Sequence, residues 1–212
     1  MLIQILVDNN SSWILPFTKQ LVEELSQKHF NIVHRYTQES VTSGEILIML
    51  SCEKLFKDLH LNKKNLVVHE SALPKGKGWS PLTWQVLEGE TRIPVTLFEA
   101  NIKVDAGNIY DVSYFELDGT ELVDELRIKQ WNATREIIIN YINNYDPDNL
   151  GVCQVGDESF YPRRTQKNSL LNINKSISEQ FNLLRVCDNE RYPAWFEMDG
   201  TKYIIKVYKD LK

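Results

Sequence analysis

The chain has 212 residues, 42% of them hydrophobic and 25% charged, with a formal net charge of -5, an ordinary globular composition long enough to bury one good core. No run approaches the roughly 18 apolar residues of a membrane span and no basic stretch precedes an apolar one at the N-terminus, so a soluble cytoplasmic protein with no membrane partner is expected. The acidic balance argues against nucleic acid, which needs a basic face, and Cys52, Cys153 and Cys187 lie too far apart for a zinc site and read as reduced thiols.

In chain order, the apolar run Leu2 to Val7 reads as a strand, and Phe17, Leu21 and Leu25 recur at helical spacing. Ile32 to His34, Ile46 to Leu50 and Leu66 to His69 read as further strands, with Leu55, Phe56 and Leu59 supplying a helical face between the last two. Strands alternating with helices predict an α/β fold: a mostly parallel Rossmann-like central sheet with helices on both faces. Ligands of such sheets bind beyond the carboxyl ends of the strands, which favours positions just after Leu50 and around His69. No glycine fingerprint follows the first strand, where the sequence is Asp8-Asn9-Asn10-Ser11-Ser12-Trp13, so a dinucleotide is not expected.

Ser80 before Pro81 reads as the N-cap of a helix that runs to Leu87 and stops at Gly89. Asp118 with Glu121 resembles a capping box opening a long helix from about Thr120 to Asn143. The texture changes after Asp146-Pro147-Asp148, and residues 151–212 read as a small appendage to a main unit of 1–150. It holds one capped helix, with Ser176, Glu179, Phe181 and Leu184, and a hairpin of Pro193 to Met198 and Tyr203 to Tyr208 turned at Asp199-Gly200.

Four segments stand out: Val67-Val68-His69-Glu70-Ser71-Ala72-Leu73-Pro74-Lys75-Gly76-Lys77-Gly78, then Trp79-Ser80-Pro81-Leu82-Thr83-Trp84, then Gly89-Glu90 with Pro94-Val95-Thr96, and Val104-Asp105-Ala106-Gly107-Asn108-Ile109-Tyr110. In this order the series resembles the core of the formyltetrahydrofolate-dependent formyltransferases, whose pattern runs Asn-x-His-x-Ser-x-Leu-Pro, a glycine-containing loop, a helix, Gly-Glu, a Val-Thr strand and Asp-x-Gly-x-Ile. Tyr161 to Thr165, Ser169, Asn172, Ser176, Gln180 to Arg185 and Tyr192 to Phe196 resemble the region after the core in sugar-nucleotide amine formyltransferases, and the wording from His69 to Trp84 is similar to the branch of the pseudaminic acid type. The similar segments reach from about Leu47 to the C-terminus.

The resemblance implies a catalytic domain at 1–150, the co-substrate 10-formyltetrahydrofolate with no metal, and a nucleotide-linked 4-amino sugar as acceptor. It assigns folate contacts to Leu50 and Ser51 and to the chain Phe98, Glu99, Ala100, Val104 and Asp105, and the appendage to substrate binding or dimer contacts. Lys75, Lys77, Arg163 and Arg164 are candidates for phosphate, Arg164 and its neighbour equally for pinning the tail to the core. Trp79, Trp84 and Trp195 are candidates for stacking on a base, and Ser71 is placed in the substrate site. The resemblance leaves room for a homodimer. Methionyl-tRNA or amino-acid formylation are the alternative activities, and a non-catalytic folate or nucleotide-sugar binder the alternative class.

An amine attacking a formyl carbon generates a cationic nitrogen and an oxyanion, so the site needs a proton acceptor working near neutrality and a group to hold negative charge. Histidine is the side chain suited to the first task, which selects His69 as proton shuttle, with Asp105 orienting it and favouring its cationic form. One position departs from the family pattern: Val67 stands where the family has the asparagine that binds the oxyanion.

Overall fold

The computed structural model describes residues 1–210. Strand β1 (Leu2–Leu6) leads into α1 (Leu15–Gln27), β2 (Asn31–Arg35), β3 (Gly44–Met49), β4 (Asn62–His69), the short β5 (Lys77–Gly78), α2 (Pro81–Glu88), β6 (Arg92–Glu99) and β7 (Ile109–Glu116). The long α3 (Val123–Asn143) follows, then β8 (Phe160–Tyr161), α4 (Phe181–Val186), β9 (Ala194–Met198) and β10 (Thr201–Ile205). The main sheet has six strands in the order β2-β1-β3-β4-β6-β7. Its first four run parallel, and β6 runs antiparallel to both β4 and β7.

Alternation decides what each face buries. Ile3, Ile5, Ile46, Ile48, Leu66, Val68, Val95 and Leu97 share one core with Leu21 and Leu25 of α1 and with Trp131, Ile137, Ile138 and Ile142 of α3. Leu82 and Val86 of α2 extend this layer by packing on Ile93 and Leu126. The opposite face is covered differently. Leu6, Leu47 and Met49 there meet Phe56, Val41 and the partly buried Val67. The helix expected from Leu55, Phe56 and Leu59 is absent, and that stretch is irregular chain ending in a 3-10 turn at Leu59–Leu61. Leu55 is exposed, and Phe56 is buried against the sheet with Leu59 and Leu61 partly buried beside it.

Two helix starts differ from the sequence reading. Ser80 takes a left-handed φ of 49°, outside the extended conformation in which a serine hydroxyl reaches the first-turn amides, and its hydroxyl caps nothing. Gly89, at φ 89°, ends α2 as expected. Glu121 accepts the amides of Asp118 and Gly119 at 2.9 and 3.1 Å but sits outside the helix, whose first turn is closed by Glu125 accepting the Leu122 amide at 2.8 Å. Glu121 has a second task, as the buried partner of Lys129 and Arg185.

The position proposed as the unit boundary, residue 150, lies in chain that stays laced to the main sheet. Val152 and Ile109 exchange two backbone hydrogen bonds at 2.8 Å, and β8 pairs with β5 in parallel. Beyond it, Ser176 and Glu179 form the expected capping interaction at 2.7 Å. The terminal hairpin turns at Asp199 and Gly200, with φ of 51° and 75°, as a two-residue turn of this hand requires.

Candidate functional site

Strand order places the site. Between β1 and β3 the chain direction of winding reverses, and the carboxyl ends of β1, β3 and β4 open onto one cavity of 530 Å³ reached from the segments that follow them. The end of β4 carries His69, which is 7% exposed. Its Nε2 lies 2.9 Å from the Gly76 carbonyl and 3.7 Å from Asp105 Oδ2. Because a carbonyl oxygen only accepts, Nε2 carries the hydrogen and Nδ1 holds the lone pair. Nδ1 has no hydrogen-bond partner among the described residues and is not sealed from solvent.

Asp105 arrives from the loop after β6 with a φ of 49°. Its Oδ2 accepts the Gly78 amide at 2.8 Å, so the glycine loop that follows β4 holds both members of the pair, one through Gly76 and one through Gly78. Hydrogen bonding to the imidazole thus comes from a backbone carbonyl, and Asp105 contributes charge from just beyond hydrogen-bond range.

Among the positions singled out in the sequence, Leu50, Ser51, Phe98, Ala100 and Val104 line the cavity with His69 and Asp105. Trp79, Arg163 and Arg164 line it too. The Arg163 guanidinium lies 4.6 Å from the centre of the Trp79 ring and 3.7 Å from Glu53, joining the chain after β8 to the chain after β3. Arg164 is more deeply set and donates to the carbonyls of Asn168 and Val186, which ties the turn before α4 to the last residue of that helix.

Six expected positions are elsewhere. Lys77 is 2% exposed and its ammonium meets Glu158 at 2.6 Å, because in β5 it faces away from the neighbouring Gly78 that lines the cavity. Lys75 is exposed and outside the cavity wall. Ser71 is buried behind the site, where its carbonyl accepts the Thr96 hydroxyl at 2.6 Å. Glu99 receives the Asn65 amide and the Tyr110 hydroxyl at 2.8 and 2.7 Å and fixes the base of the Asp105 loop. Neither Trp84 nor Trp195 lines the cavity: Trp195 donates to the Gln166 carbonyl with the Lys202 ammonium 4.4 Å over its ring, and Trp84 donates to the Pro162 carbonyl and stacks on Tyr161.

The cavity also contains residues the sequence did not single out. Glu70, one residue past His69 and therefore on the opposite side of β4, reaches the wall with Gln130 of α3 as its partner. Burial pushes its carboxyl above the ordinary carboxylate range, against the pull of His69 and Gln130. Arg127, bonded to Asp188 at 2.7 Å, and Arg191 add two guanidiniums to those of Arg163 and Arg164. The Cys52 thiol is pushed up to about 12 by burial and by Asp8, which leaves it too little ionised to act as a nucleophile. Val67 presents a hydrocarbon wall where an oxyanion donor was sought.

No family model matches the chain. By sequence it is 29% identical over 160 residues to the methionyl-tRNA formyltransferase of Mycoplasmopsis pulmonis, an alignment that takes in 74% of this chain and 52% of the relative. It is 30% identical over 205 residues to the bifunctional polymyxin resistance protein ArnA of Wigglesworthia glossinidia brevipalpis, with 93% of this chain and 27% of the relative aligned. The chain therefore spans about half or less of the curated relatives it matches.

Among solved structures, the methionyl-tRNA formyltransferase from Clostridium thermocellum superimposes with a TM-score of 0.82 at 16% identity, over 100% of this chain and 94% of the other. A sugar N-formyltransferase from a Shewanella species gives 0.72 at 14% identity, over 100% and 99%. HypX from Aquifex aeolicus, solved in complex with tetrahydrofolic acid, gives 0.81 at 14% identity, over 97% of this chain and 37% of the other. The methionyl-tRNA formyltransferases among the sequence relatives and the methionyl-tRNA and sugar N-formyltransferases among the solved structures carry that activity in their names, and the fold of this chain is that of these solved structures.

Proposed function

We propose that this chain transfers a formyl group from 10-formyltetrahydrofolate to the primary amine of a 4-amino sugar linked to a nucleoside diphosphate. The observation that carries the reading is the placement of His69 and Asp105, 3.7 Å apart, on the wall of a cavity of 530 Å³. That volume lies within the range of small-molecule sites, roughly 300 to 1,000 Å³. The family resemblance of residues 161–196 to sugar-nucleotide formyltransferases and the fold shared with a sugar N-formyltransferase support the acceptor class.

In this mechanism the substrate amine attacks the formyl carbon, and the proton it sheds passes to Nδ1 of His69. The Gly76 carbonyl keeps the ring oriented through Nε2, and the Asp105 carboxylate stabilises the imidazolium. Collapse of the tetrahedral intermediate breaks the bond to the folate nitrogen, which takes the proton back from His69. Leu50, Ser51, Phe98 and Ala100 form the wall assigned to the folate, and the guanidiniums of Arg163 and Arg164 the wall assigned to phosphate.

Purified protein incubated with 10-formyltetrahydrofolate and a panel of nucleotide-linked amino sugars is expected to release tetrahydrofolate and yield one formylated sugar by mass. His69→Ala should abolish the product. Absence of product from every amine in the panel would overturn the assignment. A tRNA acceptor is the second reading, favoured by the methionyl-tRNA formyltransferase among the sequence relatives. The net charge of -5 weighs against it, and charged methionyl-tRNA belongs in the same panel.

A further inference from the structure

Asp105 sits in a backbone conformation that a residue with a side chain rarely adopts, at φ 49°, so something must hold it there. The loop's own hydrogen bonds lie at its edges, where the Glu99 amide meets the Asn108 carbonyl and the Ala100 amide meets that of Asn65. At its centre the bonds come from elsewhere. Gln154 Nε2 donates to the Asp105 carbonyl at 3.0 Å and to the Gly107 carbonyl at 2.8 Å. Gly107 is pressed against the Glu99 backbone so closely that no Cβ would fit, which leaves the loop no room to shift on that side.

Gln154 is well anchored for this task. Two residues before it, Val152 is locked to Ile109 by a pair of backbone bonds. Five residues after it, Ser159 receives the Gly76 amide on its hydroxyl at 2.8 Å and the Lys77 amide on its carbonyl at 2.9 Å. One strap thus touches both loops of the site. Its neighbours Val152, Cys153, Val155 and Gly156 are exposed, whereas Gln154 turns its carboxamide inward.

We propose that Gln154 is a positioning residue for the transfer reaction: by tying the Asp105 and Gly107 carbonyls together it sets the Asp105 carboxylate against His69 Nε2 and the Gly78 amide. The proposal rests on the formyl-transfer reading insofar as Asp105 serves His69 in that reaction. Leucine has nearly the shape of glutamine and neither of its donors. Gln154→Leu is therefore expected to lower kcat about 10- to 100-fold, the scale on which a small misplacement of a working group acts, with KM for donor and acceptor unchanged.

The deciding measurement is a double-mutant cycle with Asp105→Asn. Where Gln154 acts through Asp105, adding Gln154→Leu to Asp105→Asn costs less than about twofold more, because the group being positioned is already disabled. Full additivity of the two effects, or a normal kcat in Gln154→Leu, overturns the proposal. Gln154→Met, which keeps the length and loses the donors without adding charge, repeats the cycle if the leucine variant does not fold. Nitrogen resonances of the His69 ring supply a readout that needs no turnover: Gln154→Leu should move them in the same direction as Asp105→Asn, and unmoved resonances overturn the proposal. A wild-type protein inactive toward every amine would sink the formyl-transfer reading while this spectroscopic comparison still decides the role of Gln154.

Discussion

The Gly78 amide points at Asp105 Oδ2 across 2.8 Å, and the residue that makes this bond has a φ of 98° and would drive any Cβ to 2.6 Å from the Tyr161 carbonyl. Glycine is required there on both counts. Gly78→Ala must either move β8 or turn the amide away from Asp105. It is expected to cost roughly 1–3 kcal/mol of stability, the usual scale of a residue forced into such backbone, and to lower turnover beyond what the loss of folded protein explains. Thermal melting and kcat corrected for the folded fraction check both halves, and a stable, fully active alanine variant would refute the close packing.

Val67 makes a different prediction, because here the chain lacks a group instead of depending on one. It lines the cavity two residues before His69, on the same side of β4, and packs on the cluster of Leu47 and Met49. Removing one oxyanion donor from an enzyme that has it costs about 100- to 1,000-fold in rate. If no other group has taken over that task, Val67→Asn should raise kcat by a large part of that factor, while the polar substitution in a half-buried apolar contact lowers stability by about 1 kcal/mol. A kcat that does not rise would show that a donor already present holds the oxyanion.

Much of this architecture is legible in the sequence because it follows from patterns a few residues long. The alternation of Ile3 and Ile5, the spacing of Leu21 and Leu25, and the Pro81 to Gly89 punctuation report directly on faces and ends. The pairing of His69 with Asp105 is legible only through the motif, since the residues lie on different strand ends and meet through Gly76 and Gly78. What escapes is direction. Lys77 and Gly78 are adjacent, yet only the glycine lines the cavity, because a two-residue strand sends one neighbour each way. Gln154 leaves no trace in any pattern, for its partners are two backbone carbonyls that carry no sequence signature.

The raised carboxyl of Glu70 yields a pH dependence with a definite sign. Burial is its largest cause, so the folded state holds the proton more tightly than the unfolded chain, whose value is 4.5. A group shifted this way favours the fold below the unfolded value, and that contribution is lost as pH rises from 4.5 through the folded value. Glu70→Gln removes the titration while keeping the shape. Its melting temperature is expected to match that of the wild type in mild acid and to exceed it increasingly toward neutral pH, which paired melts across that range will show. A constant difference, or one of the opposite trend, would mean that Glu70 is ionised without penalty in the folded state.

Arg163 is the guanidinium best placed to change partners. Its bond to Glu53 spans 3.7 Å between side chains that are 61% and 46% exposed, and such surface pairs are worth only about 0–1 kcal/mol. A hydrogen bond from a guanidinium to a phosphate oxygen contributes about 1.5–3 kcal/mol, so a diphosphate entering the cavity should take Arg163 from Glu53, with the Trp79 ring 4.6 Å away keeping the guanidinium plane in place. Arg163→Ala is then expected to raise KM for the nucleotide sugar about tenfold, which corresponds to 1.4 kcal/mol, and to leave kcat unchanged, because the contact is the same before and during the reaction. Glu53→Gln should act in the other direction, lowering KM slightly by releasing the arginine, and the difference between the two variants should shrink as salt is added. Steady-state kinetics at two ionic strengths test the exchange. A fall in kcat at constant KM in Arg163→Ala would place Arg163 beside the reacting atoms and remove it from the phosphate.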